Sequence, residues 1–146
     1  MSESQPLVPP AAPGAAAGWL EQVAFGPGGL VPVIAQRWPD GRVLMLAWAD
    51  RAALEQTWRT GFATYYSRSR SRSWRKGEES GHVQRVREMR IDCDGDAVLY
   101  LVEQEGGVAC HTGRASCFYR RLDDGVWTEV DPVLVDPARI YKRGEP

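Results

Sequence analysis

Apolar positions along this chain either alternate with polar ones or gather in short runs, and turn residues punctuate them every few positions. Leu30 to Gln36 (LVPVIAQ) is apolar and β-branched, which predicts a strand, and Pro32 inside it points to a sheet edge or a strand start. Asp40-Gly41 signals a hairpin into the apolar run Val43 to Trp48. Asp50 can cap a helix over Arg51 to Thr60, with Leu54 and Trp58 four apart on one face and Gly61 at its stop. Phe62 to Ser67 returns to strand composition, and a polar, Arg-rich loop follows. His82 to Asp92 alternates as a strand with Val86 inward, and Ala97 to Gln104 (AVLYLVEQ) is a strong strand. Gly106-Gly107 turns the chain, Ser116 to Leu122 reads as another strand, and Asp124-Gly125 turns into Val126 to Val130. The pattern predicts an α+β fold: a mainly antiparallel β domain with one or two short helices.

The two ends differ from this pattern. Residues 1–18 are rich in Pro, Ala and Gly and predict a disordered arm with helical character toward its end. Residues 19–130 form the expected domain, and 131–146 an irregular tail in which Val133, Leu134 and Val135 can pack. At 146 residues a single domain can bury a core without a metal or disulfide to hold it. No apolar run approaches about 18 residues, so no helical membrane span is expected. Three cysteines are an odd count and too few for a disulfide framework. The N-terminus carries Glu3 and several prolines rather than a basic region and an apolar core, unlike a secretory signal. A cytoplasmic location is expected, where clustered cysteines more often bind metal or react than cross-link.

Charge sharpens the picture. Lys and Arg number 18 against 19 Asp and Glu, a net −1 that argues against a wholly basic nucleic-acid binder or a self-repelling disordered chain. Arg68 to Arg90 nevertheless holds eight basic residues and three acidic ones, whereas Asp92 to Glu105 holds five acidic residues and no basic one. Adjacent opposite blocks fit a metal cation beside an anionic ligand, or two solvated faces that offset each other. Within the basic block, Ser67 to Ser73 alternates Ser and Arg between the aromatics Tyr65-Tyr66 and Trp74. Inside a folded domain this run presents guanidinium and hydroxyl groups to phosphate oxygens, with Arg68, Arg70, Lys76 and Ser80 as the candidate contacts. The competing reading is an RNA-binding module with structural zinc.

Two metal signals follow, one hard and one soft. In Asp92-Cys93-Asp94-Gly95-Asp96 three carboxylates project to one side of an extended segment and Cys93 to the other. A strand rise of about 3.3 Å per residue would set the outer two Asp backbones roughly 13 Å apart, so chelation needs a bend, which Gly95 permits. An EF-hand-like calcium loop is rejected: its sixth position would be Ala97 instead of Gly, and both flanks read as strands. Cys110-His111 and Cys117, with Cys93, complete a C-x16-C-H-x5-C set. Three thiolates with water in the fourth position make an open zinc site beside which His111 can transfer a proton. A Cys3His structural site, or three thiols behaving as small apolar residues, remain alternatives.

Taken together, LVPVIAQ, VLMLAW, ATYYSRSR, WRKGEESGH, DCDGD, VEQ and ACHTGRASCF resemble the phosphoribosyl-AMP cyclohydrolase family of histidine biosynthesis, in the family's order from about Gly29 to Trp127. Ala49-Asp50 stands where the family has Met-Asn. The resemblance implies hydrolytic opening of the adenine ring of N1-(5-phosphoribosyl)-AMP between C6 and N1, giving the formimino aminoimidazole carboxamide ribonucleotide. It implies zinc on Cys93, Cys110 and Cys117, Mg²⁺ on Asp92, Asp94 and Asp96, and proton transfer by His111, with His82 as a second candidate. It also implies a homodimer whose zinc is shared, Cys93 of one chain meeting Cys110 and Cys117 of the other, so that the active site forms at the dimer interface. The implied partners are a nucleotide substrate and a second copy of the chain, with neither nucleic acid nor membrane. The deaminase signature H-x-E with P-C-x-x-C is absent.

Overall fold

A computed structural model describes residues 17–140. The elements in chain order are α1 (Ala17–Leu20), β1 (Val31–Arg37), β2 (Val43–Ala49), α2 (Arg51–Thr60), β3 (Thr64–Ser67), β4 (Arg72–Arg75), β5 (Gln84–Ile91), β6 (Val98–Gln104), β7 (Arg120–Asp123), β8 (Val126–Glu129) and α3 (Pro137–Ile140). The expected α+β class with a mostly antiparallel sheet and short helices is what forms. Most of the expected N-terminal arm lies outside the described residues.

Six strands make one sheet in the order β4-β3-β2-β1-β6-β5, antiparallel except for the β1–β6 pair. The sheet curls back on itself. The Ala63 N–H donates to the Gln84 carbonyl at 3.0 Å and the Val86 N–H to the Gly61 carbonyl at 2.8 Å, so β5 meets the chain entering β3. Alternation along β1 and β6 aims Val31, Val33, Ala35, Val98, Tyr100 and Val102 into the core. Helix α2 closes over them with Ala53, Leu54 and Thr57 buried. The Thr57 hydroxyl lies 3.1 Å from the Tyr100 hydroxyl, and the Tyr65 hydroxyl donates to Gln84 at 2.6 Å, so these buried side chains find polar partners.

Helix α2 has the expected bounds for the expected reasons. The Asp50 carboxylate accepts from the Ala53 N–H at 2.9 Å, and Gly61 adopts φ 80 as its N–H donates to the Thr57 carbonyl. Two expectations need correction, and one choice left open is decided: β1 is a central strand with Pro32 second in it, so Pro32 marks the strand start and not a sheet edge. The ladder with β6 begins at Val33, one residue past Pro32, so the missing N–H lies outside that ladder. The Arg-rich loop contains a strand, β4, at the sheet edge, where only Trp74 is half buried and no apolar alternation is required. The strand read over Ser116 to Leu122 starts at Arg120. Before it, the Ser116 hydroxyl donates to the Val43 carbonyl at 2.9 Å and the Cys117 N–H to the Leu44 carbonyl at 2.8 Å, tying the segment to β2 without a ladder.

β7 and β8 form a separate two-stranded hairpin. No helix among the described residues is long and apolar enough to cross a membrane.

Candidate active site

The aspartates stand on the turn between β5 and β6. The Asp92 N–H donates to the Ala97 carbonyl and the Gly95 N–H to the Asp92 carbonyl, which closes the turn. Gly95 supplies the bend at φ 80, and a Cβ there would come 2.7 Å from the Gln22 carbonyl oxygen, so the residues before β1 press on this turn. The bend gathers Asp92, Asp94 and Asp96 until one carboxylate oxygen from each lies within 4.8 Å of the others. Hydrogen bonding with Asp92 and Asp94, together with their repulsion, lifts the Asp96 carboxyl to about 6. Exposed oxygen donors gathered this closely suit a hard divalent cation.

Cys110 to Gly113 form a second turn, closed by the Gly113 N–H on the Cys110 carbonyl at 2.9 Å and by the Cys110 N–H on the Arg114 carbonyl at 3.1 Å. This turn holds buried Cys110 as an electrostatic neighbour of Cys117, and the Thr112 hydroxyl donates to the Cys110 sulfur at 3.1 Å. Cys117 is open to solvent as a residue, yet its thiol is crowded. Burial and the neighbouring Cys110 push it up to about 12, against the pull of Lys76. Two adjacent thiols suit a thiophilic ion such as zinc, although they fill only half of its coordination. Cys93 does not complete the set within the chain: among the described residues the aspartates are the one cluster of three potential ligands, and Cys93 is exposed on their turn. His111 is exposed beside Cys110. His82 is half buried, and burial together with nearby Lys76 lowers its pKa.

The basic block divides. Arg85, Arg87 and Arg90 pair with Glu105, Glu103 and Glu88, so along β5 the charges are mutually satisfied. Arg70, Arg72, Arg75, Lys76 and Ser80 instead line a cavity of about 350 Å³, whose wall also carries Trp74, Glu78 and Glu79, so cations outnumber carboxylates there by four to two. Arg68 lies apart from it, with its guanidinium 4.8 Å from the Trp48 ring centroid.

The family profile for phosphoribosyl-AMP cyclohydrolase matches residues 45–119, a span that includes the aspartate turn, the basic cavity and all three cysteines. The chain belongs to the phosphoribosyl-AMP cyclohydrolase family. Relatives bearing the cyclohydrolase name include that of Leptothrix cholodnii, 61% identical over 127 residues, covering 85% of this chain and 98% of its own. That of Bordetella petrii is 59% identical over 128 residues, covering 85% and 96% respectively. That of Azotobacter vinelandii is 56% identical over 128 residues, covering 88% and 96%.

In this cyclohydrolase-family chain the sequence reading missed Gly113 and Thr112, which shape the cysteine turn, and Trp48, which carries Arg68. Thr112 and Gly113 stand inside the CHTG motif, so proximity to Cys110 was their available signal. Trp48 closes the VLMLAW motif, which marked it as part of the family pattern but not as the partner of Arg68.

Proposed function

We propose that the chain is a cytoplasmic enzyme of histidine biosynthesis that opens the adenine ring of N1-(5-phosphoribosyl)-AMP between N1 and C6, yielding the formimino aminoimidazole carboxamide ribonucleotide. The observation that carries this reading is the presence, on a member of this family, of a gathered carboxylate turn, a thiol pair and a basic cavity. Zinc would be held by Cys110 and Cys117 of one chain and Cys93 of a second, and Mg²⁺ by Asp92, Asp94 and Asp96. When bound, the zinc would supply an acidified water.

The protein's own residues do the rest. His111, exposed next to Cys110, moves the proton between water and the ring nitrogen. Arg70 and Ser80, which line the cavity, hold phosphate oxygens, with Arg68 stacked on Trp48 as a further cationic contact. His82 is the second candidate for proton transfer.

A homodimer is supported by the surface that follows Cys117. A two-stranded hairpin is marginal alone, yet β7 and β8 expose Leu122, Val126 and the paired Trp127, with Phe118 and Leu134 exposed nearby in sequence. Trp127 is 65% exposed and Phe118 59%, and a second copy would cover both.

The test is hydrolysis of phosphoribosyl-AMP by the purified protein, followed spectrophotometrically beside His111→Ala. Wild type turns over, whereas His111→Ala keeps its zinc and loses about 10²- to 10⁴-fold in kcat. Zinc lost together with the rate would make His111 a ligand instead. A wild-type protein that leaves phosphoribosyl-AMP intact overturns the proposed activity.

A further inference from the structure

Lys76 belongs by position to the phosphate-facing basic run, yet its ammonium is already engaged. It donates to the Ala109 carbonyl oxygen at 2.6 Å, in a part-buried setting next to the residue that starts the cysteine turn. The stem is fixed from behind, because the Lys76 N–H donates to the Ala63 carbonyl at 3.0 Å at the end of β4. Gly77 follows at φ 82, where a Cβ would come 2.4 Å from the His82 carbonyl carbon, so the loop after Lys76 folds tightly back. Ala109 directly precedes Cys110, so the ammonium is held beside the turn that carries that sulfur; burial lowers its pKa, and the fields of Cys117 and Cys110 act in the opposite sense.

Three thiolates around one Zn²⁺ leave a net negative charge. In a partly desolvated place such a charge is costly unless a cation stands nearby. Groups that orient or neutralise metal ligands from behind commonly set the affinity of the site.

We propose that Lys76 is a positioning residue of the thiol pair: its ammonium holds the Ala109 carbonyl, and with it the turn carrying Cys110, and offsets the charge that Cys110 and Cys117 acquire on binding metal. The inference rests on the zinc reading of the preceding section. It moves Lys76 from the phosphate side of the site to the metal side.

The test compares zinc affinity in wild type, Lys76→Met and Lys76→Arg by competition with a chromophoric chelator at fixed pH, alongside KM for phosphoribosyl-AMP. Lys76→Met should bind zinc about 10- to 100-fold more weakly. Lys76→Arg, which keeps the charge and a donor, should stay within about threefold of wild type. If Lys76→Met does not fold, Lys76→Gln, a donor without charge, takes its place with the same expectation. Unchanged zinc affinity in the uncharged variant, with or without a raised KM, overturns the proposal, as does an arginine variant as weak as the uncharged one. A wild-type protein that binds no zinc overturns the zinc reading and this inference together, whereas failure of the variants alone leaves that reading intact.

Discussion

Chains carrying Cys93→Ser and chains carrying Cys110→Ser, each inactive alone, should recover about a quarter of wild-type activity when mixed in equal amounts and allowed to exchange subunits. If zinc is shared across a two-fold axis, each site takes Cys93 from one protomer and Cys110 with Cys117 from its partner. Random pairing makes half of the dimers mixed, and each mixed dimer holds one intact set and one doubly broken set. Alone, either variant should lose more than about 100-fold, because removing groups that merely support a metal ligand already costs 10- to 100-fold. Chelator-treated wild type should match them. The rate of phosphoribosyl-AMP hydrolysis and the zinc content per chain are the readouts. Absence of recovery on mixing, with exchange verified by mass after one variant is isotopically labelled, would mean that the metal set is not divided between chains in this way. The separation of exposed Cys93 from the Cys110–Cys117 pair is the structural reason to expect recovery.

Gly113→Ala should be the most damaging single methyl group near the site. At φ 88 the backbone is in the left-handed region, and a Cβ would stand 1.9 Å from the Val135 carbonyl oxygen and 3.0 Å from a Val133 methyl. The obstacle is backbone rather than a flexible side chain. It is also held there, because the Leu134 and Val135 N–H groups both donate to the Gly113 carbonyl, at 2.8 and 3.2 Å. Either the tail lifts away or the cysteine turn opens, and the second outcome displaces Cys110 and His111. Backbone strain alone costs about 1–3 kcal/mol, which at roughly 2–4 °C per kcal/mol lowers Tm by several degrees. The clash adds to this, and zinc affinity should fall about tenfold or more as the turn loosens. Gly107→Ala is the matched control, since Gly107 has φ 72 but nothing near its Cβ position. If the two variants melt together and bind zinc equally, the tail does not brace the turn.

The sequence made legible what depends on local chemistry. Asp50 and Gly61 bracket α2 because an N-cap and a left-handed stop are written in single residues. The aspartate bend was likewise visible, because three carboxylates cannot meet on an extended strand and Gly95 is the one residue between them that frees the backbone. What escaped depends on neighbours distant in sequence. β4 has too little apolar alternation to be seen, and it exists because β3 offers a ladder. The central place of β1 depends on where the β6 ladder starts relative to Pro32, which no local pattern encodes. Lys76 sat in a run of cations and read like them until its contact with Ala109 distinguished it. The tail after Val130 lay outside the family resemblance, yet the Val135 carbonyl rests against Gly113.

The parallel pairing of β1 with β6 also bears on how the chain is made. Val33 is matched to Val98, so in the folded chain that side of β1 is covered by a strand far along the sequence. At about 5–20 residues per second, the intervening stretch takes roughly 3–13 s to synthesise. Until then the nascent β1–β2 hairpin presents one unpaired edge, a template for mispairing. That edge therefore stays open to mispairing for the whole of this interval.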